Sequence, residues 1–178
     1  LLPHFKTGQQ NVLNLISTDG GNGKSYLAQE LENYWITLGL QVRKLTYDED
    51  FLADDSRYIM SKSIKDLCPD LLPDEIAIIE YPNLNEHSIP SALLNLGTVN
   101  LLVTRANRTW KDVDQKALKE LQSQLENKDS LFMYLTESQR YAVEEFVGQL
   151  PPYTKFNNFV YRLSQMGLTA TENSHAKL

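Results

Sequence analysis

Ser17-Thr18-Asp19-Gly20-Gly21-Asn22-Gly23-Lys24-Ser25 is the stretch whose reading decides the fold. It follows an apolar run, Val12-Leu13-Asn14-Leu15-Ile16, and opens into a segment with Leu27, Leu31, Tyr34, Trp35 and Leu38 at helical spacing. Strand, glycine-rich turn, lysine, hydroxyl and helix stand in the order that a phosphate cradle requires. Glycines let backbone N–H groups converge on phosphate oxygens, and the helix N-terminus adds its partial positive charge. In such a loop Lys24 reaches the β- and γ-phosphates and Ser25 presents its hydroxyl to Mg²⁺. The general pattern G-x-x-x-x-G-K-[ST] begins with glycine, whereas Thr18 holds that slot here.

Outward from this loop, apolar strands alternate with helical patterns. Residues 12–17 read as a first strand buried on both faces, and Gly39 stands where a helix wants a left-handed terminal residue. Residues 41–47 read as a second strand. Asp54-Asp55-Ser56 offers an N-cap for a helix holding Tyr58, Ile59, Ile64 and Leu67. Ile76-Ala77-Ile78-Ile79 is the clearest buried strand and ends in Glu80-Tyr81-Pro82. A short helix from Pro90 to Gly97 precedes a fourth strand, 99–103. Thr109 and Asp112 are spaced as a capping box for a helix with Trp110, Val113, Ala117, Leu118, Leu121 and Leu125 on one face. Residues 131–135 form a fifth strand. Thr136-x-x-Gln139 reads as the cap of a further helix carrying Tyr141, Ala142, Phe146 and Val147. Pro151-Pro152 ends it, and a last helix carries Phe156, Phe159, Val160 and Leu163 before a polar tail. Alternation of this kind predicts one α/β domain spanning 1–178, with a mostly parallel sheet covered by helices on both faces.

Composition narrows the function classes. With 178 residues, 42% hydrophobic, the chain is long enough for a single core, and a net charge of -6 argues against a dedicated nucleic-acid surface. No apolar run approaches the roughly 20 residues of a membrane-spanning helix. A single cysteine, Cys68, excludes an internal disulfide, fits a reducing compartment and reads as a small buried hydrophobe. His4, His87 and His175 are isolated, so no zinc signature exists. Gly-x-Gly-x-x-Gly is absent at the first turn, which disfavours a dinucleotide oxidoreductase. Leucine at position 1 leads to the expectation of a part excised from a longer protein.

Two acidic stations share the strand ends with the loop. Asp48 and Asp50, two residues apart after the second strand, point to one side of the pleat at the end of a parallel sheet where ligands bind; the alternative is a solvated acidic turn. Glu80 ends the third strand, placed either for a metal or water role or for a hydrogen bond to a neighbouring loop.

The three stations in this order resemble the ParA/MinD-like branch of P-loop ATPases, and more closely the cytoplasmic domain of bacterial tyrosine kinases (BY-kinases) attached to polysaccharide co-polymerases. The family loop is Ser-Ser-x-Pro-Gly-Glu-Gly-Lys-Ser, so Thr18 follows the family, with Gly20 at its proline and Asn22 at its glutamate. Asp48-x-Asp50 is similar to the second Walker motif. Ile78-Ile79-Glu80-Tyr81-Pro82 is similar to Ile-Ile-Asp-Thr-Pro, and Val103-Thr104-Arg105-Ala106-Asn107-Arg108-Thr109 to Val-Val-Arg-x-x-x-Thr. The resemblance covers about residues 11–127; Tyr141–Leu168 resembles a variant fused to chain-length regulators. Glu80 replaces the aspartate of the third motif, Asp19 lies where partition ATPases carry a signature lysine, and Leu135-Thr136 follow the fifth strand where an asparagine is common. Residues 162–178 contain no tyrosine, and Tyr153 and Tyr161 are the last two.

The resemblance implies ATP and Mg²⁺ as cofactors, with the nucleotide held by Asp19, Gly20, Gly21, Asn22, Gly23, Lys24, Ser25 and Tyr26. It implies Mg²⁺ on Ser25, Asp48, Asp50 and Glu80, and catalysis by Lys24, Asp48, Asp50 and Glu80. It further implies a cytoplasmic domain of a parent anchored in the bacterial inner membrane, working with a membrane-spanning chain-length regulator in a homo-oligomer, without nucleic acid. The expected role is regulation of exopolysaccharide or lipopolysaccharide assembly with weak or degenerate phosphoryl transfer. The alternatives are a non-catalytic oligomerisation module and a ParA/MinD-like positioning ATPase.

Overall fold

The computed structural model describes residues 1–6, 8–139 and 143. In chain order it contains β1 (Asn11–Ser17), α1 (Lys24–Thr37), β2 (Val42–Thr46), α2 (Ser56–Ile59), α3 (Ile64–Leu67), β3 (Ile76–Asn83), α4 (Ser91–Leu96), β4 (Val99–Arg105), α5 (Asp112–Gln124) and β5 (Leu131–Thr136). The five strands form one sheet in the order β2-β3-β1-β4-β5, and every neighbouring pair is parallel. The α/β class with a parallel sheet is therefore the observed fold. The helices expected after Thr136, the Pro151-Pro152 break and the polar tail lie outside the described residues. Val143 is the exception: it is buried, and its N–H donates to the Gln139 carbonyl at 3.3 Å.

Handedness explains which helix covers which face. Parallel crossovers are right-handed, so a connection that steps one way along the sheet lies on the opposite face from one that steps the other way. From β1 to β2 the chain steps past β3 in one direction, and α1 packs on that face. Leu27, Ala28, Leu31 and Trp35 meet Leu13, Leu15, Ile78, Leu101 and Val103 there. Each later connection steps back the other way. Accordingly Tyr58, Ile64, Leu93, Leu94 and Leu121 pack on the opposite face, against Val12, Ile16, Ala77, Ile79 and Leu102. Successive strand residues alternate between the two clusters, as the pleat requires. Trp35 is 1% exposed, a core residue as its helical spacing predicted.

Local signals hold where they were strongest. Gly39 adopts φ 79°, its N–H donates to Ile36 (2.9 Å) and that of Leu40 to Trp35 (3.0 Å), closing α1 in a Schellman arrangement. Asp55 caps α2 by accepting from the Arg57 N–H at 2.8 Å. The single helix expected over Tyr58 to Leu67 is instead two, α2 and α3. Ser63 and Asp66 form a capping box that starts α3 afresh, which stops α2 from running through. The capping expectation at Thr109 also shifts. Helix α5 begins at Asp112, and the Asp114 carboxylate takes the Lys111 N–H at 2.9 Å. Trp110 precedes the helix yet packs against the core, while Val113 faces outward.

Asn14 interrupts the apolar run of β1 and is wholly buried. Its Nδ2 donates to Asn100 Oδ1 (2.8 Å), and Asn100 Nδ2 donates to Ser130 Oγ (3.0 Å). This polar ladder ties β1 to β4 and to the residue before β5. It runs directly beneath Gly97, where an added Cβ would lie 2.5 Å from Asn14 Nδ2 and 2.8 Å from Asn100 Oδ1.

Candidate functional site

Strand β1 occupies the middle of the sheet, and the connections leaving β1 and β4 run to opposite sides of it. The crevice at the carboxyl ends of two such strands is where open α/β sheets bind ligands. Residues 17–25 lie there. Gly21 (φ 67°) and Gly23 (φ 87°) bend the turn in the left-handed region, which side-chain-bearing residues rarely adopt. Gly23 is also the N-cap of α1, and no side chain caps that helix. The orphan N–H groups of the first turn thus open toward the loop.

Lys24 folds back into the turn and is 8% exposed. Its Nζ donates to Ser17 Oγ (2.6 Å) and Asn83 Oδ1 (3.0 Å). Burial lowers the pKa of its ammonium, and the charges of Glu80 and Glu86 only partly oppose that. The ammonium is therefore held by neutral oxygens, with carboxylates near but not paired to it. Ser25 Oγ donates to Glu80 Oε1 at 2.6 Å. Glu80 reaches Ser25 because β3 is the direct neighbour of β1, with Leu15 opposite Glu80 in register.

The other two carboxylates go elsewhere. Strand β2 is separated from β1 by β3, so Asp48 and Asp50 follow an edge strand. Asp50 Oδ2 accepts the Thr46 N–H (2.7 Å) and closes its own turn. Asp48 takes φ 71° and its N–H donates to the Phe51 carbonyl (3.0 Å). Both are exposed. Among the described residues no three His, Cys, Asp or Glu side chains gather as a metal-holding group, so the expected Asp48, Asp50 and Glu80 centre is not assembled. Ser25 and Glu80 still fit Mg²⁺, a hard cation that keeps several waters and takes one or two carboxylates beside substrate phosphates.

Several residues given no role in the sequence reading surround the loop. Arg105, at the end of β4, donates from Nε to the Gly21 carbonyl (2.7 Å), with a second, short contact from Nη2. Arg108 reaches Asp19 Oδ2 (3.2 Å) and grips Asp114 with Nη2 at 2.8 and 2.9 Å from its two oxygens. Thr136 Oγ1 donates to the Asn22 carbonyl at 3.0 Å, bracing the loop from β5. Asn83 holds Lys24 on one side and Glu86 (3.1 Å) on the other. Arg105 and Arg108 fell within a motif already singled out after the fourth strand, and Thr136 was read as a helix cap, whereas its hydroxyl donates to the Asn22 and Thr104 carbonyls from the end of β5; Asn83 carried no signal of its own. Tyr26, the last residue of the expected cradle, is exposed in the first turn of α1.

Cys68 is buried as expected, its thiol pushed up first by burial and then by a 3.2 Å contact with Asp70. Among the described residues no helix is long and apolar enough to cross a membrane. No protein-family model matches this sequence, and no curated protein matches it either.

Proposed function

We propose that residues 17–25 bind the phosphates of a nucleoside triphosphate, taken as ATP, together with Mg²⁺. The observation that carries this reading is the Ser25–Glu80 hydrogen bond of 2.6 Å beside a buried Lys24. A hydroxyl, a carboxylate and an ammonium at the end of a central parallel strand have the composition of a Mg²⁺-phosphate site. A scaffold role alone gives no reason to bury an ammonium against neutral oxygens. Lys24 and the backbone N–H groups from Gly20 to Ser25 would hold the phosphates, and Ser25 with Glu80 would hold Mg²⁺. The ion supplies charge neutralisation at the phosphate oxygens when bound.

The proposal extends the family resemblance: a BY-kinase-like domain that serves polysaccharide assembly in a larger membrane-anchored parent, with Glu80 in place of aspartate and weak or no phosphoryl transfer. Asp48 and Asp50, which follow an edge strand, with the Asp50 carboxylate engaged in its own turn, support limited catalysis over a competent kinase. The test is calorimetric titration of Mg·ATP into wild type, Lys24→Ala and Glu80→Gln. Binding that is lost in Lys24→Ala, and that no longer depends on Mg²⁺ in Glu80→Gln, is the expected result. Equal affinity in wild type and Lys24→Ala, or none in either, removes the phosphate reading and leaves the oligomerisation module.

A further inference from the structure

Asp19 is an anion placed inside a turn that the preceding section assigns to anionic phosphates, and the inference here rests on that assignment. Its side chain is 51% exposed, Oδ1 accepts the Gly20 N–H at 2.9 Å, and Oδ2 lies 3.2 Å from Arg108 Nη2. Arg108 is fixed from behind. Its Nη2 lies 2.8 and 2.9 Å from the two oxygens of Asp114, a carboxylate only 1% exposed, and Nη1 reaches Thr18 Oγ1 at 3.3 Å. Asp114 is anchored in turn by the Lys111 N–H at 2.9 Å and by Asn85 Nδ2 at 3.4 Å. Nη2 therefore faces three carboxylate oxygens with two hydrogens. The Asp19 contact is the longest of the three and ends on the exposed partner, so it is the one surrendered first.

We propose that Asp19 is a resident anion of this loop: it occupies the Gly20 N–H and the outward side of Arg108 until a phosphate displaces it, which makes Arg108 a phosphate-contacting residue of the site. A phosphate oxygen taking that place inherits both donors without rearranging either, because Gly20 lies in the turn and Arg108 is held by Asp114. The displaced carboxylate rotates into solvent. Affinity then reflects the difference between phosphate and carboxylate at the same donors, so weak monovalent anions gain little, whereas a polyphosphate with Mg²⁺ gains enough to exchange.

The test uses the full chain and magnesium tripolyphosphate, which separates phosphate contacts from those of a base. Asp19→Asn is expected to bind about tenfold more tightly than wild type at low salt, the scale of one partly exposed charge interaction, and the gap narrows as salt screens it. Arg108→Gln is expected to weaken binding, and in the Asp19→Asn/Arg108→Gln double variant the gain disappears. Arg108→Lys, which keeps the charge beside buried Asp114, restores part of the affinity and serves if Arg108→Gln does not fold. Unchanged or weaker binding by Asp19→Asn, in a protein whose binding Lys24→Ala abolishes, overturns the resident anion and leaves the cradle standing. A gain that persists without Arg108 overturns the role of the arginine. Binding that Lys24→Ala leaves intact, or no binding by any protein, overturns the cradle and this inference with it.

Discussion

Replacing Lys24 with methionine separates a binding lysine from a structural one, because the two roles predict opposite changes in stability. Lys24 is 8% exposed and makes two charge-assisted hydrogen bonds, to Ser17 and Asn83. Such bonds contribute about 1.5–3 kcal/mol each. Against them stands a desolvation cost of several kcal/mol for a buried ion. The direction of the pKa decides the balance: burial holds it below 10.5 despite Glu80 and Glu86, so the charged form is worse off here than in water. Ser17 and Asn83 are not orphaned by the change, since Ser17 Oγ also donates toward Asp19 O (2.9 Å) and lies 3.1 Å from Asn83 Oδ1. Methionine fills similar volume without the charge. Lys24→Met is therefore expected to raise stability by about 1–2 kcal/mol without ligand, or roughly 2–8 °C in Tm for a chain of this size. The sign with pH follows from the lowered pKa. The folded state gives up the proton first, so wild-type stability rises as pH climbs from the folded-state pKa toward 10.5, and the gap to Lys24→Met closes in that window.

Ligand inverts the order. At a Mg·ATP concentration of about one hundred times Kd, wild type gains about 2.7 kcal/mol, while a variant that does not bind gains nothing. Thermal melts with and without Mg·ATP read both effects in one experiment. A Lys24→Met protein that melts below wild type without ligand would refute the reasoning, because Lys24 would then be holding the fold together. Failure of the order to invert would refute the binding role.

Two further predictions concern the frame around the loop. Gly97 has φ -62°, so alanine is not strained there, yet its Cβ would meet the buried Asn14–Asn100 pair at 2.5 and 2.8 Å. Gly97→Ala is expected to cost about 2–4 kcal/mol through overpacking and a broken buried hydrogen bond, seen as a lower urea midpoint at unchanged slope; a neutral result would show that the ladder yields. Burial pushes the Asp114 carboxyl up, but bonds from Thr18, the Lys111 N–H and Arg108 outweigh it and leave its pKa below 3.8. Its contribution is thus complete above about pH 3.8 and is lost as pH falls through the folded-state pKa. Asp114→Ala is expected to destabilise by about 3 kcal/mol at neutral pH, with the gap to wild type shrinking in acid, and a pH-independent gap would contradict the ion pair.

By itself, the sequence determined the features that depend on neighbours along the chain. Apolar runs at Val12–Ile16, Ile76–Ile79 and 99–103, the first broken by Asn14 and the last by Asn100, read as strands with both faces covered, and their alternation with helical periods points to a parallel sheet. The glycines and Lys24-Ser25 mark the turn because glycine alone adopts its left-handed angles without strain. Only tertiary structure decided which carboxylate meets Ser25. The sequence places Asp48, Asp50 and Glu80 alike at strand ends. In the structure Asp48 and Asp50 follow β2, Glu80 lies within β3, which runs on to Asn83, and strand order selects Glu80 because β3, not β2, lies beside β1. The same holds for Arg108, Asn83 and Thr136: each comes to the loop from 59 to 114 positions away in the chain, a distance over which spacing carries no information.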